Sequence, residues 1–213
     1  MIIRPDNGQR TNTVREASFI ADISVSAINR AIDERRIPMG IIQRNRTRLL
    51  TDWGVFILAV SKELKQQVPE EMQRVLVSGV VRLLRKKRRL AFSRLDKVSA
   101  ERGPMKVVMQ LKPIAERVEE NRRRLERLMK TVVQDPEIQA GAPTFRGTRI
   151  LVHPIAQALE RGVSEAELLE DYPSLTPKML EAARVYAETK PRRGRPRADF
   201  RGLAPLSERR IVG

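Results

Sequence analysis

The sequence predicts a mainly α-helical protein. It opens with two short helices and a hairpin, continues through a central helical and strand connector, and closes with a three-helix domain carrying a short hairpin and an extended basic tail. Three observations point there. Hydrophobic residues make up 41% of the chain but aromatics only 4%, so the core must be aliphatic. Apolar residues recur at spacings of three and four in most segments, the period of a helix with one buried face. The charge is unevenly spread, which divides the chain into units.

The 213 residues suffice for one or two domains of roughly 100–200 residues each. Residues 1–60 hold nine basic and six acidic groups, residues 61–130 twenty and nine, residues 131–188 five and nine, and residues 189–213 eight and two. A basic middle, a mildly acidic compact unit and a basic tail are expected to do different jobs. The formal net charge of +16 speaks to partners more than to fold. Nucleic acid is the commonest partner of such a chain, with an acidic membrane face or an acidic protein groove as rivals.

Several chemistries are excluded or made remote. The chain has no cysteine, which removes disulfides, thiol nucleophiles and Cys-ligated zinc. Its one histidine, His153, leaves no His-based metal cluster, so neither a metal nor a cofactor is expected. Met1–Pro5 lacks the apolar stretch of a signal peptide. No run approaches the ~18–20 apolar residues of a membrane helix. A cytoplasmic protein with no membrane partner is the expectation.

In residues 1–60, Thr13 can cap a helix, with Glu16 three residues on completing a capping box. Ala17, Ile20 and Ala21 give that helix its apolar side. Ser24 can cap a second helix through about Arg35, with Val25, Ile28, Ala31 and Ile32 on one face, and Pro38 stops it. The other face offers Ser26, Asn29 and Arg30. Asn and Arg make the paired hydrogen bonds that distinguish adenine and guanine in the major groove. Ile41-Ile42 and Leu49-Leu50 then flank Gln43-Arg44-Asn45-Arg46-Thr47-Arg48, a hairpin with a basic tip suited to phosphate. Thr51-Asp52 caps a further helix with Val55, Leu58 and Ala59.

The run Thr13–Ala17, then Ser26, Ile28, Arg30–Asp33 and Ile37-Pro38, resembles the winged helix-turn-helix of MerR-like and excisionase-like proteins over about fifty residues. The resemblance implies that the second helix and wing touch DNA, through Ser26, Asn29, Arg30, Arg44, Arg46 and Arg48. A small helical subdomain with solvated charges is the plainer alternative, because helix-turn-helix patterns recur without DNA binding.

In residues 61–134, Pro69 can open a helix followed by Glu70-Glu71, which suit its positive start. Met72, Val75, Leu76, Val80, Leu83 and Leu84 hold helical spacing as far as Arg85–Arg89. Those five cations either answer the helix dipole or grip phosphate. Gly103-Pro104 is a break, and Met105–Leu111 reads as a strand. From Pro113 a long helix carries Ile114, Val118, Leu125, Leu128 and Val132 along one stripe. A lone strand cannot satisfy its backbone, so this basic connector is expected to pair with another segment or subunit and to form a homodimer.

Residues 135–188 read as a short strand or hairpin followed by three short helices. Asp135-Pro136-Glu137-Ile138, Gly141-Ala142-Pro143, Gly147-Thr148-Arg149-Ile150-Leu151-Val152, the Ser164 helix start, Asp171-Tyr172-Pro173, Leu175-Thr176 and Ala183–Ala187 follow in order. This combination resembles a small bacterial domain of unknown function, DUF433, with Ala140 where much of that family has glycine. The resemblance implies an antitoxin, often encoded beside a toxin of the PIN ribonuclease class. With a helix-turn-helix in front, the chain resembles a VapB-type antitoxin. The acidic run Glu165, Glu167, Glu170 and Asp171 reads most simply as a solvated face, and His153 as a helix-start or surface residue. No catalytic residue is assigned, and no enzyme is expected.

In residues 189–213, Lys190–Arg197 is too interrupted by proline and glycine for a regular helix. Arg193-Gly194-Arg195-Pro196 resembles the core of an AT-hook, which sets arginines in a narrow minor groove. The competing reading follows from the antitoxin resemblance. Arg193, Arg195, Arg197 and Arg201 would enter a toxin's carboxylate-lined site, with Phe200, Leu203 and Leu206 as apolar anchors. The expectation is therefore an antitoxin that silences a PIN-domain toxin and represses its operon by binding operator double-stranded DNA as a dimer. A stand-alone regulator or architectural DNA protein with an AT-hook-like tail is the alternative.

Overall fold

A computed structural model describes residues 10–38, 40–44, 47–65, 67–86 and 94–191. The molecule is mainly helical with small antiparallel strand pairs. β1 (Thr11–Thr13) leads into α1 (Val14–Ala21), α2 (Val25–Asp33), the hairpin β2 (Ile41–Arg44) and β3 (Thr47–Thr51), and α3 (Asp52–Lys65). β3 lies between β1 and β2, with Thr11 opposite Thr51 and Ile41 opposite Leu50. α3 carries on through residue 60 into the connector.

Local chemistry sets these elements. Thr13 Oγ1 accepts from the Glu16 N–H at 3.2 Å while Glu16 Oε2 accepts from the Thr13 N–H at 2.8 Å, a closed capping box. α1 stops at Asp22, which takes φ 53°. Ser18 Oγ donates to the Ile23 carbonyl at 2.6 Å, and Ser24 Oγ caps α2 by accepting from Ala27 N–H at 3.3 Å. The turn between the two helices is thus held at both ends. Gly40 has φ +92°, and a Cβ there would stand 2.4 Å from the Gly54 nitrogen. Only glycine lets the hairpin backbone lie directly on α3, where Gly40 O accepts from Thr51 N–H at 2.7 Å.

α4 (Glu70–Lys86) folds back against α3 and packs on the hairpin β4 (Lys97–Arg102) and β5 (Met105–Gln110). The expected strand is present, and it pairs with β4 of the same chain, so its backbone needs no other subunit on that side. α5 (Lys112–Met129) begins at Leu111 with Pro113 in its first turn. It runs across α1 and α3. Val132 does not extend the α5 stripe. It belongs to β6 (Val132–Val133), opposite Phe145 of β7 (Thr144–Phe145). Then come α6 (Val152–Glu160), α7 (Glu165–Asp171) and α8 (Pro177–Thr189).

Two apolar clusters result. The larger joins Ile20 and Ile28 to Leu50, Phe56, Leu76, Val98, Ile114 and Leu125. The smaller gathers Phe145, Val152, Ile155, Leu168, Leu175 and Leu180. α8 belongs to both: Leu180 and Ala183 face the smaller cluster, Ala182 and Val185 the larger.

Candidate nucleic-acid interface

α2 buries Ile28 and turns Ser26 and Arg30 to solvent, with Asn29 half-buried beside them. Three of the sequence-predicted residues therefore share one helix face. Ser26 Oγ lies 3.1 Å from Ser24 Oγ. Arg30 has no ion-pair partner among the described residues. The β2–β3 hairpin stands beside this helix. Arg48, on β3 opposite Gln43, sends Nη2 to Asp33 Oδ1 of α2 at 2.8 Å. Arg44 lies at the end of β2 opposite Thr47. Arg46 lies outside the described residues.

The chain beyond α2 adds cations that sequence reasoning passed over. Arg35 takes φ 54°, with its N–H on Ile32 O at 3.0 Å and the Arg36 N–H on Ala31 O at 2.9 Å. This is the left-handed ending that glycine favours. Arg36 is engaged by Glu34 at 2.6 Å. Asp33 and Asp22 were the other omissions: Asp22 holds Lys62 at 2.6 Å. For Asp33, the acids interleaved among the arginines of residues 30–36 were the available signal; for Asp22 there was none.

The face is anchored to the core from behind. Arg122 of α5 reaches Asp52 at 2.6 Å with side chains only 13% and 17% exposed. The same Asp52 oxygen accepts from Asn12 Nδ2 at 3.2 Å. Asn121 Nδ2 donates to the Ile20 carbonyl at 3.1 Å. α5 thereby fixes the start of α3 and the end of α1. Between α2, α3 and α4 lies a groove of about 780 Å³, with Ala27, Ala31, Ile37, Leu58 and Val77 among its walls.

The foot of the tail sits at this same module. Lys190 Nζ donates to Glu16 Oε1 at 2.7 Å, and Arg15 Nη1 donates to the Glu188 carbonyl at 3.2 Å. Burial pushes the Glu16 carboxyl up, but Lys190 and the Thr13 backbone N–H outweigh it, and the net shift is downward. Arg193, Arg195, Arg197, Phe200, Arg201 and Leu203, the tail residues assigned to toxin contact, lie outside the described residues, as does Leu206.

In the C-terminal unit, Glu165, Glu167, Glu170 and Asp171 are all exposed, and Glu165 pairs with Arg184. They form a solvated face. His153 occupies the first turn of α6, its ring edge-on to Tyr186 at 5.5 Å between centroids. Among the described residues, no group of three or more His, Asp or Glu is placed to hold a metal ion. None of the described helices is long and apolar enough to cross a membrane.

Residues 132–187 match the family described as a protein of unknown function, DUF433. The matched stretch opens at β6 and closes within α8. Along most of its length the chain is similar to the uncharacterized protein y4eO of Sinorhizobium fredii, with 27% identity over 200 residues, covering 92% of this chain and 90% of that protein. Among solved structures it is similar to Rv2018 of Mycobacterium tuberculosis at 18% identity and a TM-score of 0.36, covering 81% of this chain and 95% of the other.

Proposed function

We propose that this chain is a VapB-type antitoxin. It represses its own operon through an N-terminal winged helix-turn-helix and neutralises a PIN-domain ribonuclease through its C-terminal region. One observation carries the DNA half. The Arg48–Asp33 ion pair ties the basic hairpin to α2, so the helix face of Ser26, Asn29 and Arg30 and the hairpin form one continuous surface. In this reading α2 lies in the major groove, Asn29 and Arg30 meet base edges, and Arg44, Arg46 and Arg48 meet phosphate. The resemblance of residues 132–187 to the DUF433 family supports the antitoxin half. Arg193, Arg195, Arg197 and Arg201 supply the cations for the toxin's acidic site, with Phe200 and Leu203 as anchors.

The test is binding of the purified chain to the DNA upstream of its own gene. With six or more phosphate contacts, affinity falls about a thousandfold or more between ~50 and ~200 mM salt. Arg30→Ala costs about tenfold or more and relaxes preference at one base pair. Asp33→Asn frees Arg48 and tightens binding. Affinity indifferent to salt, or unchanged in Arg30→Ala, sinks the DNA half. Co-expression with the neighbouring gene product tests the other half: a chain ending at Pro191 should release toxicity and keep operator binding.

The second reading is a stand-alone regulator whose tail enters the minor groove. The Lys190–Glu16 contact favours it, because it roots the tail beside α1 of the DNA-facing module. Loss of DNA binding on truncation, with no toxin partner recovered, selects this reading.

A further inference from the structure

Among the described residues, the β4–β5 hairpin has an unpaired outer row. Leu111 N–H donates to the Asp96 carbonyl at 2.8 Å, and the ladder continues through Val98–Met109 and Ala100–Val107 to Arg102–Met105. In an antiparallel ladder, alternate residues turn both backbone groups to the same side. Met105, Val107 and Met109 are in phase with Leu111 and face β4. Lys106, Val108 and Gln110 therefore point theirs away from it. Among the described residues, no backbone hydrogen bond engages that outward row.

Edges of this kind pair with other chains unless charge, proline, a bulge or a covering segment blocks them. Here Lys106 is the one charge on the row. At its centre Val108 is 47% exposed, one of three large hydrophobic side chains left so open among the described residues. The opposite edge, Lys97, Ser99 and Glu101 of β4, carries no apolar residue.

We propose that β5 is a dimerisation edge and that its occupant is β5 of a second copy of this chain, antiparallel about a twofold axis at Val108. That register sets Val108 against Val108 and Lys106 against Gln110 on each side of the axis. No like charges meet, and three N–H groups from each strand gain carbonyl partners. The two hairpins become one four-stranded sheet, and the isologous contact closes without leaving a sticky end. This gives the proposed operator-binding dimer its axis. It rests on that reading only for what the dimer does, since association is measured without DNA.

The test is light scattering of the full-length chain across the micromolar range. Twice the monomer mass is expected, with Val108→Lys at least a hundredfold weaker in association and Val108→Thr close to wild type. Because the chain has no cysteine, Val108→Cys creates a single thiol, and mild oxidation should join two chains through it. Ser99→Cys on the other edge should remain uncoupled. A wild-type monomer at all these concentrations overturns the proposal. So does a Val108→Lys chain that dimerises normally, or coupling through Ser99→Cys but not Val108→Cys. If Val108→Lys does not fold, the two cysteine variants decide alone. Failure of DNA binding with an intact dimer would leave this edge standing and remove only the operator reading.

Discussion

Ala140 has φ 52° and ψ 37°, the left-handed region, just after Gln139 at φ 50°. Glycine occupies this region without steric penalty, whereas an L side chain costs roughly 1–2 kcal/mol there. Glycine is therefore the residue this backbone favours at position 140, and the alanine there carries a physical cost. Ala140 is exposed, so removing its methyl costs little packing. Ala140→Gly is expected to stabilise the chain by about 1 kcal/mol net of the added freedom of the unfolded state, read as a higher denaturation midpoint. A lower midpoint would contradict the backbone geometry. Arg35 has the same kind of φ in a position that glycine would fill more easily, and its guanidinium remains beside the proposed DNA face. The candidate site was legible residue by residue where helix period decides orientation, as for Ser26, Asn29 and Arg30. It was not legible where long-range contacts decide, as for Asp33 holding Arg48.

Among the elements, α1 shows most directly how a local signal becomes a tertiary clamp. Glu16 closes the capping box and also accepts from Lys190, 174 residues away in sequence. Lys190 and the Thr13 backbone N–H hold its carboxyl below the ordinary glutamate range despite its partial burial. A folded-state pKa below the unfolded one gives stability that is fully present above the unfolded value and is lost as pH falls through the folded one. Glu16→Gln should therefore lower stability by about 0.5 kcal/mol at neutral pH, the scale of a carboxylate's charge at a helix start, since glutamine can still close the capping box. The difference from wild type should shrink as both are acidified below pH 4, in thermal melts at matched ionic strength. A difference that persists at low pH would assign the effect to shape rather than charge. The helices were legible because caps and breakers are short-range: Thr13, Ser24, Thr51 and Ser164 all mark real starts. The strands were less so. Thr11–Thr13 has no apolar alternation and is a strand only because β3 lies beside it. Lys97–Arg102 hides two inward residues, Val98 and Ala100, among three charges. Val132 fits the helical period, yet α5 stops at Met129 with no glycine or proline to announce it.

At the scale of the molecule, α8 decides the architecture. Its period supplies two apolar stripes, Leu180 and Ala183 on one side and Ala182 and Val185 on the other. The sequence reading picked out the Leu180–Ala183 stripe alone, and one helix cannot say which neighbours will claim its other side. The structure gives one stripe to each cluster. Arg124 of α5 adds an ion pair to Glu181 at 2.6 Å across the same junction, an exposed contact of small energetic weight. The two clusters are therefore expected to melt together. Trp53, the only tryptophan, packs against the larger cluster, so its fluorescence and the far-ultraviolet circular dichroism of the whole chain should share one midpoint. Val185→Ala should lower both by the same amount, about 1 kcal/mol or somewhat more for the lost methyl groups and the space they leave. Two separated midpoints would make the C-terminal unit independent of the rest.

The helix that completes both cores is also the last of the described elements to leave a ribosome. Until Val185 has been synthesised, the larger core lacks a wall, although most of its residues were made long before. The converse holds for destruction: a protease that starts at the carboxyl end and trims past Thr176 strips a face from the N-terminal module without cutting it. Breakdown begun at one end of this chain is felt at the other.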